Sequence, residues 1–354
     1  MNKILGKLLE TKEININVAD MLLYVYQNDI HPSKQELVSI LKLNNCDEKE
    51  GIYLWLMNEL EMNLNDSSNK YLCNKYFFNN IEKQNIGKYA GNPYVKAIKD
   101  IRITNSKYAI KKLSYEPYQI FPLDDIKINE KDYYSEATPL GFFDEKYSYL
   151  ALLENNKIWM SLNPNEINTM QPHINKAKGN ILVLGLGLGY FPFMCSLKKE
   201  VSSITIVERD SNIIKLFNTY LLDKFPNRSK IQVIQNDAIE YLSKNACFDY
   251  IFADLWHDPT DGVDLYVELK KIERKTKINI SYWIENSLIA MLRRIMLSVY
   301  EDISKGNKIS KKELEEDKLI SLIFETLKII EIKNESELIE TFSDSNILKL
   351  LNLD

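Results

Sequence analysis

Apolar and polar positions change period along this chain. Between residues 15 and 62 apolar side chains recur at helical spacing in "NVADMLLYVYQND", "HPSKQELVSILKL" and "DEKEGIYLWLMNELEMN". Ser33 and Glu36 stand as a capping box for the second helix, and Asp47 and Glu50 are spaced the same way before the third. From about 100 to 175 the period falls to two. "KKLSYEPYQIFPL" and "YSYLALLENNKIWMSL" alternate like strands, with Asn155-Asn156 where a two-residue hairpin turn belongs. Over 179–285 the short apolar runs "NILVLGLG", "SITIVERD", "KIQVIQND", "FDYIFADL" and "KINISYWI" alternate with helical stretches. That alternation predicts an α/β, doubly wound, Rossmann-like sheet that is mainly parallel. After Trp283 the pattern is mostly helical, with a further capping pair, Ser310 and Glu313. The expected organisation is an N-terminal helical module (1–95), a β-rich segment (96–178), the α/β core (179–285) and a helical C-terminal extension (286–354).

Composition narrows the function classes. A length of 354 residues allows two or three domains, and 45% hydrophobic residues can fill a sizeable core. The net charge of −5 gives no global electrostatic case for nucleic acid. Three helices near the N-terminus could form a winged-helix-like unit, but the third, where a recognition helix would lie, is acidic and apolar. A packing or homodimerisation module is expected instead, with no nucleic-acid partner. No apolar stretch approaches the ~20 residues of a membrane span, and "MNKILGKLLETKEI" lacks a signal-peptide core. The four cysteines show no CxxC spacing, which suits reduced thiols and a cytoplasmic location without a membrane partner.

The chemistry concentrates after the first core strand. There the glycines alternate: Gly185, Gly187 and Gly189. A strand ending in glycines and feeding a helix lets a ligand approach the backbone near a helix N-terminus. The dinucleotide fingerprint GxGxxG would need glycine at 190, where Tyr190 stands, so a nicotinamide dinucleotide is disfavoured. Glu208 ends the second strand, where an acid can accept from ribose hydroxyls. Asp237 and Ala238 end the third, where a carboxylate and a backbone N–H can meet an adenine edge. Asp254 ends the fourth. All lie at the carboxyl ends of strands, the usual ligand edge of such sheets.

Together these residues resemble the class I S-adenosylmethionine (SAM)-dependent methyltransferase superfamily over about 179–285. The resemblance implies that Gly185, Gly187 and Gly189 flank the methionine portion of SAM, that Glu208 holds the ribose and Asp237 with Ala238 the adenine. Asp254 would lie near the sulfonium and the acceptor. A narrower likeness is to spermidine synthases, which place a β-rich segment before this fold. In that layout Glu166 and His173 of "SLNPNEINTMQPHINKAKG" match acidic and polyamine-holding positions, although the family's Tyr-His pair is missing. The loop Asp254-Leu-Trp-His-Asp258-Pro259 is one residue longer than its Asp-x-x-Asp-Pro counterpart.

Either reaction attacks a carbon bound to positively charged sulfur, so the protein supplies proximity, orientation and a base. His257, in the loop after the fourth strand, suits general-base work near neutral pH. Asp254, Asp258, Asp261 and Asp264 could line a groove for a polycation, or begin a helix. Trp256 walls the acceptor pocket or covers the sheet edge. Asp254, His257 and Asp258 could also bind a divalent cation, but no distal ligand is evident and no metal is expected. The sequence therefore favours a SAM-dependent methyltransferase acting on a small-molecule acceptor, with catalytic Asp254, His257 and Asp258 and acceptor contacts from Glu166, Trp256 and Asp258. The alternatives are a spermidine-synthase-like aminopropyltransferase using decarboxylated SAM, and an idle SAM-binding scaffold.

Overall fold

The computed structural model describes residues 2–103, 107–245, 247–307 and 311–353. The capping pair begun by Ser310 lies outside them. Helix α1 (Asn2–Gln27) starts well before the segment whose periodicity marks it. The reason is tertiary. Its first half packs Leu8 into the main core and places Lys12 Nζ 3.1 Å from Ser298 Oγ, while Val18, Leu22 and Val25 enter a second, N-terminal core. A single stripe cannot serve two cores, and the helical period blurs.

Helix α2 (Lys34–Asn44) has the full reciprocal cap, with Glu36 N donating to Ser33 Oγ and Ser33 N to Glu36 Oε2. Helix α3 (Glu48–Glu59) has half of one: Asp47 accepts from Glu50 N at 2.9 Å. Its Ile52, Tyr53, Trp55, Leu56 and Met57 are all buried, so it is a core helix. Helix α4 (Ser67–Tyr76), which periodicity did not separate, completes this layer.

Short strands follow: β1 (Ile81–Lys83), β2 (Tyr108–Tyr115), β3 (Phe121–Pro122), β4 (Lys127–Asn129), β5 (Ser135–Ala137), β6 (Leu140–Phe142), β7 (Tyr147–Glu154) and β8 (Lys157–Ser161). They pair as the sheets β1-β6-β3, β2-β7-β8 and β4-β5. The β7–β8 hairpin turns at Asn155 and Asn156, with φ of 49° and 64°. Two left-handed residues in a row make the type I′ turn for which asparagine is suited. Helices α5 (Ile86–Ala90) and α6 (Pro93–Ile98) separate β1 from β2, and α7 (Pro164–Lys176) joins β8 to the core.

The core sheet holds β9 (Gly179–Leu184), β10 (Val201–Glu208), β11 (Ile231–Gln235), β12 (Tyr250–Ala253) and β13 (Ile280–Tyr282), all parallel, in the order β11-β10-β9-β12-β13. The crossovers carry α8 (Tyr190–Ser196), α9 (Ser211–Leu216), α10 (Ala238–Lys244) and α11 (Pro259–Thr276). This is the Rossmann-like doubly wound arrangement, and chain order reverses between β9 and β12. Ligand crevices open at such a point, outside the carboxyl ends of the strands. Beyond β13 run α12 (Glu285–Lys305), α13 (Lys311–Glu316), α14 (Lys318–Leu327), α15 (Glu335–Thr341) and α16 (Asp344–Leu350). Buried Arg293 ties α12 to the C-terminal helices, donating Nε–H to Phe342 O at 2.8 Å and pairing with Asp344. Among the described residues no helix is long and apolar enough to cross a membrane.

Candidate functional site

A cavity of about 440 Å³ opens at the carboxyl edge of the core sheet, roofed by the β8 end of the hairpin. Its wall contains Gly185, Gly187, Gly189, Glu208, Asp237, Ala238, Asp254, Trp256, His257 and Glu166, ten residues the sequence singles out. Asp258, Asp261, Asp264 and His173 do not line it.

The three glycines serve different ends. A Cβ on Gly185 (φ +95°) would fall 2.0 Å from the backbone carbonyl oxygen of Asp254. Its bare backbone lets the β9 and β12 ends close on each other, a structural duty rather than room for ligand. A Cβ on Gly189 (φ +78°) would strike the Phe217 ring at 2.8 Å, so this glycine faces the core as well. Gly187 differs. The nearest atom to its Cβ position is Met160 Sδ at 3.9 Å, and an added side chain would project into otherwise open space. The turn is held from behind by Tyr94, whose hydroxyl donates to Leu188 O, and by Asn92 Nδ2 donating to Tyr190 Oη at 3.0 Å. Tyr190 is buried where a dinucleotide site would bring helix against strand through glycine.

Glu208 sits at the β10 tip with both carboxylate oxygens engaged. Oε2 accepts from Leu186 N at 3.2 Å and Oε1 from Asp210 N at 2.8 Å. It thereby anchors the glycine turn from the neighbouring strand. Asp237 caps α10, its Oδ1 accepting from Ile239 N and Glu240 N. Ala238 follows as the first residue of that helix.

Asp254 is fixed by its backbone: its N–H donates to Leu184 O at 2.9 Å, and the preceding carbonyl, of Ala253, accepts from Trp283 N at 3.0 Å. Burial pushes its carboxyl up to about 7, against an opposing pull from His257. Glu166 enters from α7, where Asn163 caps the helix by accepting from Glu166 N. Burial holds its carboxyl well above the usual range, and the Asp254 charge raises it further. Among the described residues neither carboxyl accepts a hydrogen bond or pairs with a cation.

His257 stands at the rim with its side chain 55% exposed and Nδ1 2.9 Å from Asp261 Oδ2. Asp258 corrects its sequence-based assignment. It is exposed, caps α11 by accepting from Thr260 N and Asp261 N, and donates its own N–H to Asp261 Oδ1 in return. The Asp258–Asp261 pair is a capping box, and the acidic run is a helix start. His173 likewise lies away from the cavity, half-buried: Nδ1 meets Tyr250 Oη at 3.2 Å, and burial, with Lys176 adding, lowers its pKa to about 4. Trp256 both lines the cavity and covers the sheet edge, packed so tightly on α11 that a Cβ at Gly262 would come 2.6 Å from its ring.

Sequence reasoning missed Trp159, Met160, Met170, Arg209, Asn236 and Trp283, which also form the wall. Arg209 and Asn236 directly adjoin residues that were found. The others come from β8, α7 and the loop after β13, whose approach to the glycine turn no local pattern reveals. Among the described residues no group of three or more His, Cys, Asp or Glu side chains gathers as a metal site.

No family model matches the chain. No curated protein matches it either. Solved structures that align with it include the spermidine synthase of Thermotoga maritima, at 13% identity over 42% of this chain and 59% of that one, with a TM-score of 0.29. A spermidine synthase in complex with the transition-state analogue AdoDATO aligns at 13% identity over 42% of this chain and 58% of its own, TM-score 0.30. MNMC2 from Aquifex aeolicus aligns at 14% identity over 58% and 82% of the two chains, TM-score 0.28. The alignments thus span less than two thirds of the spermidine synthases' own length.

Proposed function

We propose that this chain is a SAM-dependent transferase that moves a methyl group to a small-molecule acceptor. The observation that carries the reading is Gly187: its missing side chain leaves space in a 440 Å³ cavity at the point where strand order reverses. That is the cradle a nucleoside with an amino-acid tail needs, and a cavity of this size is in the range that encloses such a ligand. Glu208, one strand over, is placed to accept from ribose hydroxyls while it braces the turn. Asp237 and Ala238 lie one strand further, at the adenine end.

When bound, SAM supplies an electrophilic carbon on a sulfonium, with a neutral thioether leaving. The chain's part is to align the acceptor in line with that carbon, exclude water with the β8 and tryptophan walls, and receive a proton. Asp254 is suited to the last task, since a carboxyl near neutral pKa balances availability against proton affinity.

One observation favours a second reading, aminopropyl transfer from decarboxylated SAM. Two carboxyls without partners, Glu166 and Asp254, share the cavity and could hold the ammonium of an amine acceptor. Incubating the chain with each sulfonium donor and an acceptor panel separates the readings. S-adenosylhomocysteine from SAM supports methyl transfer, and methylthioadenosine from decarboxylated SAM supports aminopropyl transfer. Binding of neither donor removes both.

A further inference from the structure

The cavity wall carries four carboxyls, of Glu166, Glu208, Asp237 and Asp254, and their surroundings divide them into two kinds. Glu208 and Asp237 already accept backbone N–H groups. Glu166, from α7, and Asp254, from the end of β12, accept none among the described residues; burial raises both, and the Asp254 charge raises Glu166 further. Other titratable groups on the wall are Tyr190, whose hydroxyl accepts from Asn92 Nδ2, His257, which lowers Asp254 but whose Nδ1 is taken by Asp261, and Arg209. Arg209 follows the β10 tip, two strand spacings from β12, or about 10 Å at the backbone. The acid pair therefore faces the cavity without a fixed counter-charge.

Two half-buried carboxyls without partners on one cavity wall favour the proton-bound form or a neighbouring cation. We propose that Glu166 and Asp254 together read the charge of the bound nucleoside, holding the sulfonium donor and releasing the neutral thioether product. The inference rests on the transferase reading above. Binding of the sulfonium displaces a proton from the pair to solvent. In the transfer step the acceptor's attacking atom forms a bond to carbon as the carbon–sulfur bond breaks, and that electron pair stays on sulfur. The acceptor's proton returns to the acid pair, so the neutral thioether faces a neutralised wall with no charge to hold it. Glu166 acts here as a positioning residue, through the charge of Asp254 and of the ligand.

The test is calorimetry with SAM and with S-adenosylhomocysteine, in buffers of different ionisation enthalpy at pH 6 and pH 8. These two ligands differ in the methyl group and the sulfonium charge. The expected result is that SAM binds about fivefold or more tightly than the thioether at pH 8, the scale of a modest coupling between sites. SAM binding should release a fraction of a proton near pH 7, and thioether binding should not. Glu166→Gln should shrink the preference and the proton release together while both ligands still bind. Equal affinities with no proton release would overturn the charge-reading role and leave the transferase reading standing. Failure of the folded wild-type protein to bind either ligand overturns both.

Discussion

Gly185 and Asp254 are held back to back: a Cβ on the glycine would lie 2.0 Å from the aspartate's carbonyl oxygen. Two residues prominent in the sequence are thus one mechanical joint, which sets the Asp254 carboxyl at the cavity. Gly187, two positions on, meets nothing closer than 3.9 Å. Alanine should therefore separate the two. Gly185→Ala must push strand ends apart and should cost about 3 kcal/mol or more, from overpacking plus left-handed strain. Gly187→Ala should cost about 1–2 kcal/mol of stability, yet weaken SAM binding at least tenfold, as its methyl occupies ligand space. Denaturant melts alongside calorimetry check both. Normal SAM affinity in Gly187→Ala would mean that the ligand lies elsewhere.

Glu208→Ala should act on binding and on stability at once. The lost ribose contact predicts SAM binding weaker by about 1.5–3 kcal/mol, the scale of a charge-assisted hydrogen bond. The stranded N–H groups of Leu186 and Asp210 predict a lower melting point as well. Unchanged affinity in a variant that melts lower would assign Glu208 to bracing alone.

The core sheet was legible because four of its five parallel strands are short apolar runs that lead into glycines or an acid at one edge, and those residues line the cavity. The Asn155-Asn156 turn was legible because its backbone demands left-handed residues. Asp258 misled because a carboxylate at the first turn of a helix looks alike whether it faces a ligand or only the helix N–H groups. His173 misled because likeness of layout carries no information on burial. Trp159 and Met170 could not be found: they reach the site through the folding of β8 and α7 over the sheet, a contact encoded nowhere near the glycine motif.

The ligand-free protein should be strained by its own site. The Asp254 carboxyl is raised from 3.8 to about 7 by burial, so the folded state binds a proton more readily than the unfolded chain. Below about pH 4 the group is protonated in both states and Asp254→Asn should match the wild type. Stability of the wild type is lost as pH rises through about 7, where the unfolded chain ionises freely and the folded one resists. At pH 8 Asp254→Asn should therefore be more stable by about 1–3 kcal/mol, allowing for partial solvation. Urea unfolding at pH 5 and pH 8 measures this. A variant less stable than wild type at pH 8 contradicts it.

The N-terminal helices should not bind duplex DNA. Helix α3 buries Ile52, Tyr53, Trp55, Leu56 and Met57 and has no basic face to offer. A fluorescence titration at ~150 mM salt should show no sequence-dependent affinity below micromolar.

The catalytic proton should go to Asp254 rather than to His257. Asp254 is enclosed at the end of a buried strand, beside the position that the transferase reading gives to the reacting carbon. The His257 side chain is 55% exposed at the rim, and one ring nitrogen is already committed to Asp261. Asp254→Asn keeps the shape and removes the acceptor, and should lower turnover by ~10²–10⁴-fold, the range for a positioned base. SAM affinity should change far less. His257→Ala should cost turnover less than ~10-fold. In the wild type kcat/KM should rise with pH through about 7, as the free enzyme's Asp254 loses its proton, and level off above it. That limb should vanish in Asp254→Asn and persist in His257→Ala. If instead the limb disappears with His257, the imidazole is the base and Asp261 its orienting partner. If turnover survives in both variants, the acceptor attacks as an already neutral amine, and the chain's contribution is orientation alone.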